Sequence, residues 1–392
     1  MISHRAVFCL ALAQLIAWGT TYYLIGVFGA EIGAEFGWSR DVVYGGFAAA
    51  LAVMGLTSTP IGRLIDRHGG HRIMVAGAFV TALGCVLLAA CWNLASYYTA
   101  WLALGLAMRL TLYDAAFAAL ARIAGTKAAR PISQITLLGG LASTVFWPVG
   151  HELAQAFGWR GAVLCYAGFA LLTVPLYLAL PTARSPASPT PAGSLDTAAP
   201  AVDPRRLALL GGLYALIVAV ANFLNAGLSS HLIGMLGGLG VAAATAVWIS
   251  TLRGIGQSLA RLAEVLSGGR ISPLMLNLIA TATLPLAFAA GLASGVSLAA
   301  AAAFAFLYGA GNGVLTITRG TLPLVLFDPR SYGVVVGRLI APSFLVSAAA
   351  PVVFALVGER SGAAGELALC LGLAALAFAA ALALRALARR PG

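Results

Sequence analysis

Apolar runs of helical length follow one another along almost the whole chain. A helix needs about 20 apolar residues to cross a bilayer, so each run is long enough for one crossing. Only 9% of the residues are charged, whereas soluble domains carry about 25%, which excludes a surface that faces water throughout. We place the crossings, numbered as spans one to twelve, at residues 6–30, 42–61, 73–94, 96–121, 132–156, 161–180, 206–233, 242–266, 272–293, 297–322, 333–357 and 364–387. The sequence therefore predicts an all-α polytopic membrane protein with twelve transmembrane helices, and a count one or two lower is the alternative.

Residues 181–206 differ in composition from everything around them. They are rich in Pro, Ala, Ser and Thr and have almost no large apolar side chain. Such a segment buries too little surface to fold, so we interpret it as a flexible linker. It separates an N-terminal six-helix bundle, residues 1–180, from a C-terminal six-helix bundle, residues 207–392.

Basic residues are distributed unevenly between the two sides of the membrane. With the predicted spans, 15 of the 23 arginines and lysines fall on the side of both termini and 3 fall on the other side. Cytoplasmic loops carry the excess of positive charge in membrane proteins. We therefore expect both termini and the linker in the cytoplasm, and the chain in the plasma membrane, as in the inner membrane of a bacterium.

Several other function classes find no support in the sequence. The net charge of +11 is spread over short loops, so we expect the lipid bilayer, not a nucleic acid, as the partner. Five cysteines lie in apolar segments without a CxxC or CxxH pair, which argues against a disulfide framework or a metal site. The chain has no GxSxG, HExxH or Walker loop, so we expect no enzyme activity, no cofactor and no step driven by ATP.

The stretch "GRLIDRHGGHR", residues 62–72, concentrates charge between spans two and three. Its glycine pair permits a sharp turn, and Asp66 can interact with helix N-termini and arginines. The stretch resembles the signature loop of the major facilitator superfamily, whose Gly, Asp, Arg and Gly correspond to Gly62, Asp66, Arg67 and Gly69. The resemblance implies two six-helix bundles around a central cavity that opens alternately to the two sides, with this loop as a conformational latch.

Three further stretches resemble one branch of that superfamily, the monocarboxylate porters and oxalate:formate antiporters; they are residues 26–40, 147–164 and 254–262. In that branch an arginine of span eight meets the carboxylate of the substrate, and Arg261 stands at the matching position. The resemblance implies a small anionic substrate. The only basic residue of span eleven is Arg338, which lies closer to the cytoplasmic end and is a candidate for a gate or a charge at the cavity mouth.

Arg261 also stands out by its depth in the membrane. It lies nine residues before Arg270, which marks the cytoplasmic boundary, and this places it about 13 Å deep, near the midplane of a core about 30 Å thick. A charge at that depth is costly and usually faces a cavity where it serves function. Arginine holds a carboxylate through two parallel hydrogen bonds. The alternative is a local ion pair with Glu264, three residues further along the helix.

A polar stripe runs along span eight, where Arg253, Gln257 and Arg261 follow one another at steps of four residues. We expect Gln257 to contact the substrate. Arg253 lies nearer the outer mouth, where it either attracts the substrate or snorkels to water. Arg319 of span ten is either a gate or a snorkelling anchor near the inner end of its helix.

Arg109 and Asp114 lie in the middle of span four. A spacing of five residues separates them by about 140° around a helix, so each needs a partner on another helix. Asp114 is the candidate proton carrier if transport is coupled to protons, and Arg109 and Tyr113 are candidates for substrate binding. The alternative is an interhelical Arg–Asp clamp that only holds the bundle together.

Weaker candidates for substrate binding lie on spans one and seven; they are Gln14, Tyr22, Asn222 and Asn225. Gln14 and Tyr22 share one face of span one with Trp18, and both cavity lining and ordinary helix packing explain that pattern. We interpret His231 of span seven as an interface residue rather than a proton relay.

Taken together, the sequence favours a secondary active transporter of a small anion, such as a monocarboxylate, another organic anion or an oxyanion. It would work by alternating access as a monomer, coupled to protons or by exchange. Efflux of apolar drugs or arsenicals is the alternative, and a non-transporting membrane sensor or scaffold is an alternative of another class. The arginines within the membrane favour the first, because a scaffold has no use for their insertion cost.

Overall fold

The computed structural model describes residues 2–182 and 203–389. Most of the predicted linker, residues 183–202, lies outside the described residues. The described chain folds into the α-helices α1 His4–Thr20, α2 Leu24–Phe36, α3 Arg40–His68, α4 Gly70–Ala89, α5 Leu94–Thr111, α6 Tyr113–Ala124, α7 Ala129–Gly139, α8 Ala142–Leu178, α9 Pro204–Gly238, α10 Ala243–Ser267, α11 Pro273–Leu292, α12 Leu298–Leu326 and α13 Tyr332–Arg389.

These helices make twelve crossings. The chain reverses direction inside α8 at Gly158 and inside α13 at Gly362, where φ is 70° and 64°, a conformation that suits glycine because it has no Cβ. Span one consists of α1 and α2, span four of α5 and α6, and span five of α7 and the first part of α8. Eight segments of the described chain are long and apolar enough to cross a membrane, and the two longest contain three and two crossings. The more polar α10 completes the set, so the predicted all-α fold is confirmed.

The turn between spans two and three is shorter than the sequence predicts. The helix α3 continues through Asp66 to His68, and α4 begins at Gly70, so Gly69 alone makes the turn with φ 92°. Gly70 is helical and packs so closely on Ala119 of α6 that any side chain at position 70 would overlap it. The two glycines therefore have separate roles, a turn and a close helix contact.

A break in span four depends on a partner from span one. The helix stops at Leu112, whose backbone is extended, and starts again at Tyr113. Backbone groups inside a membrane need internal partners because no water is present to bind them. The fully buried side chain of Gln14 provides one, donating a hydrogen bond of 2.7 Å from Nε2 to the carbonyl of Thr111. Gln14 therefore stabilises the break within the N-terminal bundle.

The two bundles meet on one side of the membrane. We call the side that carries the start of α1 and the end of α13 the terminal face, and the opposite side the distal face. Near the terminal face α3 packs along α13, and Gly62 and Gly333 are so close that a side chain on either would overlap the backbone of the other. The distal part of span one, α2, packs against α3 and α8 of its own bundle. The space between the bundles is therefore closed at the terminal face and opens toward the distal face.

Candidate functional site

A buried ion pair joins the two bundles. Asp114 lies in the first turn of α6, directly after the break at Leu112, and its Oδ2 accepts a hydrogen bond from Nη2 of Arg319 on α12. Asp114 is only 6% exposed. Its Oδ1 and Nε of Arg319 are both buried without a hydrogen-bond partner in the described structure. The pair therefore holds spans four and ten together and leaves bonding capacity on both residues.

Arg109 is a second buried charge of span four, and it has a different partner. Its Nε donates to the hydroxyl of Ser58 at 3.1 Å and its Nη2 to the carbonyl of the same residue at 2.9 Å. The residue is 2% exposed, and Nη1 has no hydrogen-bond partner among the described residues. Arg109 and Asp114 thus bond to different helices, as their separation around span four requires.

Asp66 connects span two to span eleven. Its carboxylate accepts hydrogen bonds from the backbone amides of Gly333 at 2.9 Å and Val334 at 2.8 Å, in the first turn of α13. An anion at a helix N-terminus is stabilised by unpaired amide groups and the helix dipole. The carbonyl of Asp66 also accepts from Nε of Arg122. Arg67, the next residue, is exposed near the end of α3.

Arg261 reaches from α10 toward the N-terminal bundle. Its Nε donates to the carbonyl of Gly313 at 3.4 Å and its Nη2 to the hydroxyl of Thr316 at 3.3 Å, both on α12. A side chain at Gly140 of span five would overlap its Nη1, so the guanidinium lies between the bundles. Arg261 is 3% exposed. The ion pairs between described residues do not include one with Glu264, so the structure does not contain the alternative local pair.

A second guanidinium of span eight has polar but uncharged partners. Nη2 of Arg253 donates to Oδ1 of Asn225 at 2.7 Å and to the hydroxyl of Ser229 at 3.0 Å, both on α9. The guanidinium also lies 5.4 Å from the ring centre of Tyr308. Nδ2 of Asn312 donates to the same oxygen of Asn225 at 3.0 Å. Arg253 is therefore held by spans seven and ten and not left to snorkel freely.

The two tyrosines predicted as binding residues lie on the N-terminal side of the same space. The hydroxyl of Tyr113 donates to the carbonyl of Thr136 at 3.2 Å. Tyr113 also interacts electrostatically with the positive charge of Arg261. Tyr22 feels the charges of Arg253 and Arg319. The arginines of the C-terminal bundle and the tyrosines of the N-terminal bundle therefore face one another.

A polar cleft lies inside the C-terminal bundle, between α9, α11 and α12. Asn222 and Arg319 both line it, and Nδ2 of Asn222 donates to the hydroxyl of Ser343 at 3.0 Å. The cleft connects the Asp114 ion pair with the polar residues of span ten. The other residues that line it include Tyr214, Asn277, Asn312, Thr316 and Thr318.

Comparison with known proteins decides the family. A sequence profile of the Major Facilitator Superfamily matches residues 10–351. The chain belongs to the major facilitator superfamily. The family predicted from residues 62–72 is thus confirmed, and the chain is a multi-pass membrane protein and a secondary transporter, not an enzyme. No curated protein matches this transporter in sequence.

Solved structures of other superfamily members share the fold of this transporter. The human organic anion transporter MFSD10 (TETRAN) is 20% identical over 96% of this chain and 99% of its own, with a TM-score of 0.73. FucP, in an outward conformation, is 14% identical over 98% of this chain and 99% of its own, with a TM-score of 0.69. The proton:xylose symporter XylE, bound to 6-bromo-6-deoxy-D-glucose, is 13% identical over 96% of this chain and 94% of its own, with a TM-score of 0.70. At these identities the likeness shows the fold alone.

One buried carboxylate of this superfamily member is missing from the sequence-based candidates. Glu366 of span twelve is 6% exposed, and its Oε1 lies 3.5 Å from Nδ1 of His231 on α9. Nε2 of His231 lies 3.1 Å from the carbonyl of Pro351. His231 therefore occupies an interface between spans seven, eleven and twelve. The sequence contained one indication of this buried carboxylate, because Glu366 lies two residues inside the predicted start of span twelve at residue 364.

Two candidates, Arg338 and Gln257, have not yet been placed. Arg338 is exposed on α13 and lies outside the groups of residues described above. Gln257 is half-buried, and its backbone packs against Gly313 of α12. Of the sequence candidates, the structure brings Arg261 near Tyr113, Arg253 near Asn225, and Arg319 near both Asp114 and Asn222.

Proposed function

We propose that this transporter moves a small organic anion, such as a monocarboxylate, across the membrane by alternating access. One observation carries the proposal, namely arginine side chains within membrane-spanning helices that have no acidic hydrogen-bond partner among the described residues; Arg109 and Arg261 are buried and Arg253 is half-buried. Arg109, Arg253 and Arg261 lie in membrane-spanning helices, and the hydrogen bonds of their side chains in the described structure go to uncharged groups. A charge at the centre of a membrane helix costs at least about 2.5–3.5 kcal/mol, so its retention indicates a functional counter-ion.

Arg261 is the proposed anchor for the anion. Its bonds to Gly313 and Thr316 are 3.3–3.4 Å long, whereas a charge-assisted bond from a guanidinium to a carboxylate is about 2.7–2.9 Å and roughly twice as strong as a neutral one. A carboxylate between the bundles therefore replaces weak partners with strong ones. The resemblance to monocarboxylate porters, whose span-eight arginine matches Arg261, supports the same role.

The fold alone does not identify the substrate, whereas the arginine charges favour an anion. An organic anion transporter and a proton:xylose symporter share this fold. An apolar drug would leave the guanidinium groups without a counter-ion. An arsenical calls for soft thiol ligands, and the described residues contain no group of three His, Cys, Asp or Glu side chains that could hold a metal-like centre.

We propose that protons drive transport through Asp114. Neutralising its carboxylate would weaken the pair with Arg319 and so release the contact between the bundles. Nη1 of Arg109 has no hydrogen-bond partner among the described residues, and the opposite charges of Arg109 and Asp114 attract each other. We further propose that the terminal face is cytoplasmic, that the membrane is the plasma membrane and that the monomer is the working unit.

The test uses the full-length protein purified in detergent and then reconstituted in liposomes. Acetate, benzoate and phosphate serve as probes in a thermal-shift measurement, because a ligand that binds the folded state raises Tm. We expect at least one carboxylate to raise Tm and to be transported. Arg261→Ala should reduce its affinity by at least about tenfold, since truncating one member of a buried charged pair typically costs about 2–5 kcal/mol. Arg261→Lys should also weaken binding because it lacks the planar fork.

The matched control is Arg270→Ala, which removes an exposed arginine just beyond the end of α10, the helix that carries Arg261. It should bind and transport like the parent protein. If Arg261→Ala and Arg261→Lys both transport like the parent protein, Arg261 has only a structural role and the anion proposal loses its basis.

A further inference from the structure

We infer, on the basis of the proposed function, that the transported anion carries an aromatic ring. The N-terminal bundle presents a group of aromatic side chains to the arginines of the C-terminal bundle. We call this group the aromatic cluster; it consists of Trp18, Tyr22, Tyr23, Phe47 and Tyr113. An anion that contacts both the arginines and the aromatic cluster needs a carboxylate on one side and a π-system on the other.

The aromatic cluster is centred on Trp18. Its ring centre lies 4.9 Å from that of Tyr22, 4.9 Å from that of Tyr113 and 6.2 Å from that of Tyr23. Phe47 extends the cluster, at 5.0 Å from Tyr22. The rings of these pairs are tilted or edge-on, at 42–86°, and none of these pairs is stacked in parallel. Tyr113 is buried and stacks in parallel on Phe117 at 5.4 Å, but the other four rings are only half-buried. They leave surface for a further aromatic group, which prefers offset-stacked or edge-to-face contact.

Three side chains of the aromatic cluster lie where span one is interrupted. The helix α1 ends at Thr20 and α2 begins at Leu24, so Tyr22 and Tyr23 lie in the break itself. Trp18, Tyr22 and Tyr23 are each only half-buried, although they lie within a membrane-spanning segment. On its other side α1 packs against α5, α7 and α8 of its own bundle. The half-exposed rings therefore face the space between the bundles.

Span five places one member of the cluster next to the proposed anchor. A side chain at Gly139 would overlap the hydroxyl of Tyr113, and a side chain at the adjacent Gly140 would overlap Nη1 of Arg261. Two neighbouring glycines thus admit the aromatic hydroxyl and the guanidinium side by side. The two bundles therefore approach each other closely at these two glycines.

Arg253 and Arg319, which we group with Arg261 as the cationic wall, lie on the same side of the aromatic cluster. Tyr23 interacts electrostatically with Arg261 and Arg253. Tyr22 interacts in the same way with Arg253 and Arg319. A quaternary ammonium ion, which aromatic groups also bind, is repelled by this wall. An aliphatic carboxylate pairs with the arginines but leaves the rings unused. An aromatic carboxylate uses both walls at once.

The test compares benzoate with cyclohexanecarboxylate, which has the same charge and nearly the same size but a saturated ring. Binding is measured on the full-length protein by thermal shift and titration calorimetry. We expect benzoate to bind about three- to tenfold more tightly than its saturated counterpart, in line with the worth of an aromatic contact beyond its buried area. Trp18→Leu and Tyr22→Leu should remove that preference while cyclohexanecarboxylate still binds.

Two control variants separate ring contact from folding. Tyr22→Phe keeps the ring and should keep the preference, so it reports on the site even if a leucine variant folds poorly. Trp92→Leu changes a tryptophan that is 73% exposed at the distal end of span three and should also keep it.

The possible failures are distinguishable. If the two acids bind equally and Arg261→Ala abolishes both, the anion site stands and the aromatic inference is wrong. If benzoate is preferred but the leucine variants keep the preference, the ring binds elsewhere and the inference is again wrong. If neither acid binds the parent protein at millimolar concentration, the inference is wrong, and the proposal that the substrate is a carboxylate is wrong as well.

Discussion

Asp114 of the N-terminal bundle and Arg319 of the C-terminal bundle form an ion pair that is buried in the terminal half of the membrane. It joins span four to span ten across the interface between the bundles. Removing one partner of a buried pair leaves an unpaired charge, which costs about 3–5 kcal/mol. Any state that opens the terminal face must therefore give both residues new partners or neutralise Asp114.

Neutralising Asp114 permanently should uncouple transport from the proton gradient. Asp114→Asn keeps the shape of the side chain but carries no charge, so it mimics the protonated state. We expect accumulation driven by a pH gradient in liposomes to fall by at least about tenfold, while exchange of labelled for unlabelled substrate continues. Asp41→Asn, at an exposed position in the first turn of α3, is the control and should behave like the parent protein.

Exchanging the two charges tests the pair itself. Asp114→Arg and Arg319→Asp should each abolish transport, since each places two like charges together in a buried site. The double variant restores an ion pair in reversed order and should recover part of the exchange activity. Equal loss in the single and double variants would show that the two residues act separately.

Asp66 should control the rate of conformational change without controlling substrate affinity. Asp66→Asn removes the negative charge that accepts from Gly333 and Val334, and a charge at a helix N-terminus is worth about 0.3–2 kcal/mol. We expect turnover in liposomes to change several-fold and the ligand affinity to stay within a few-fold. A large loss of equilibrium binding at an unaltered turnover would contradict this role.

Closure of the terminal face should depend on the absence of a side chain at position 62. A Cβ at Gly62 would overlap the backbone carbonyl of Gly333, which cannot rotate away as a side chain does. We expect Gly62→Ala to favour the state that is open at the terminal face. A cysteine at the exposed Ser229, beside Arg253, should then react more slowly with a bulky thiol reagent from the distal side.

Gly168→Ala is the matched control for that experiment, because a side chain at Gly168 would have nothing within 4 Å. It should leave the reaction rate of the Ser229 cysteine unchanged. If Gly62→Ala also leaves it unchanged, contact between spans two and eleven does not limit closure.

The orientation in the membrane can be measured with single cysteines in a cysteine-free chain. Ser361 is exposed in the distal turn between spans eleven and twelve, and Asp328 is exposed at the terminal face between α12 and α13. With the terminal face in the cytoplasm, an impermeant reagent added to intact cells should label Ser361→Cys and spare Asp328→Cys. The reverse pattern would place the termini outside.

The twelve spans were predictable because the thickness of the bilayer fixes their length. Breaks inside the spans were not. Nothing in the local sequence marks Leu112 as the end of a helix, and the break is stabilised by Gln14, which lies 97 residues from its bonding partner Thr111. A pattern of local periodicity contains no information about such a distant partner.

The candidate site was predictable in its residue types more than in its pairings. The spacing of Arg109 and Asp114 showed that each needs another helix, but the partner of Asp114 is Arg319 in the other bundle, and that contact exists only in one relative position of the bundles. Glu366 was missed for a different reason. It lies only two residues inside the predicted start of span twelve, so its predicted depth gave no sign of a partner, whereas the structure buries it beside His231.

The capping of α13 by Asp66 makes the working cycle sensitive to the activity of water. In the described state two backbone amides of α13 are satisfied by one carboxylate, and separating the bundles leaves all three groups to be hydrated instead. Osmolytes are excluded from protein surfaces and favour the state that exposes less of them. A concentrated osmolyte on the terminal side should therefore lengthen the time that the transporter spends closed on that side. Turnover would then depend on the osmotic strength of one compartment, even at constant substrate and proton gradients.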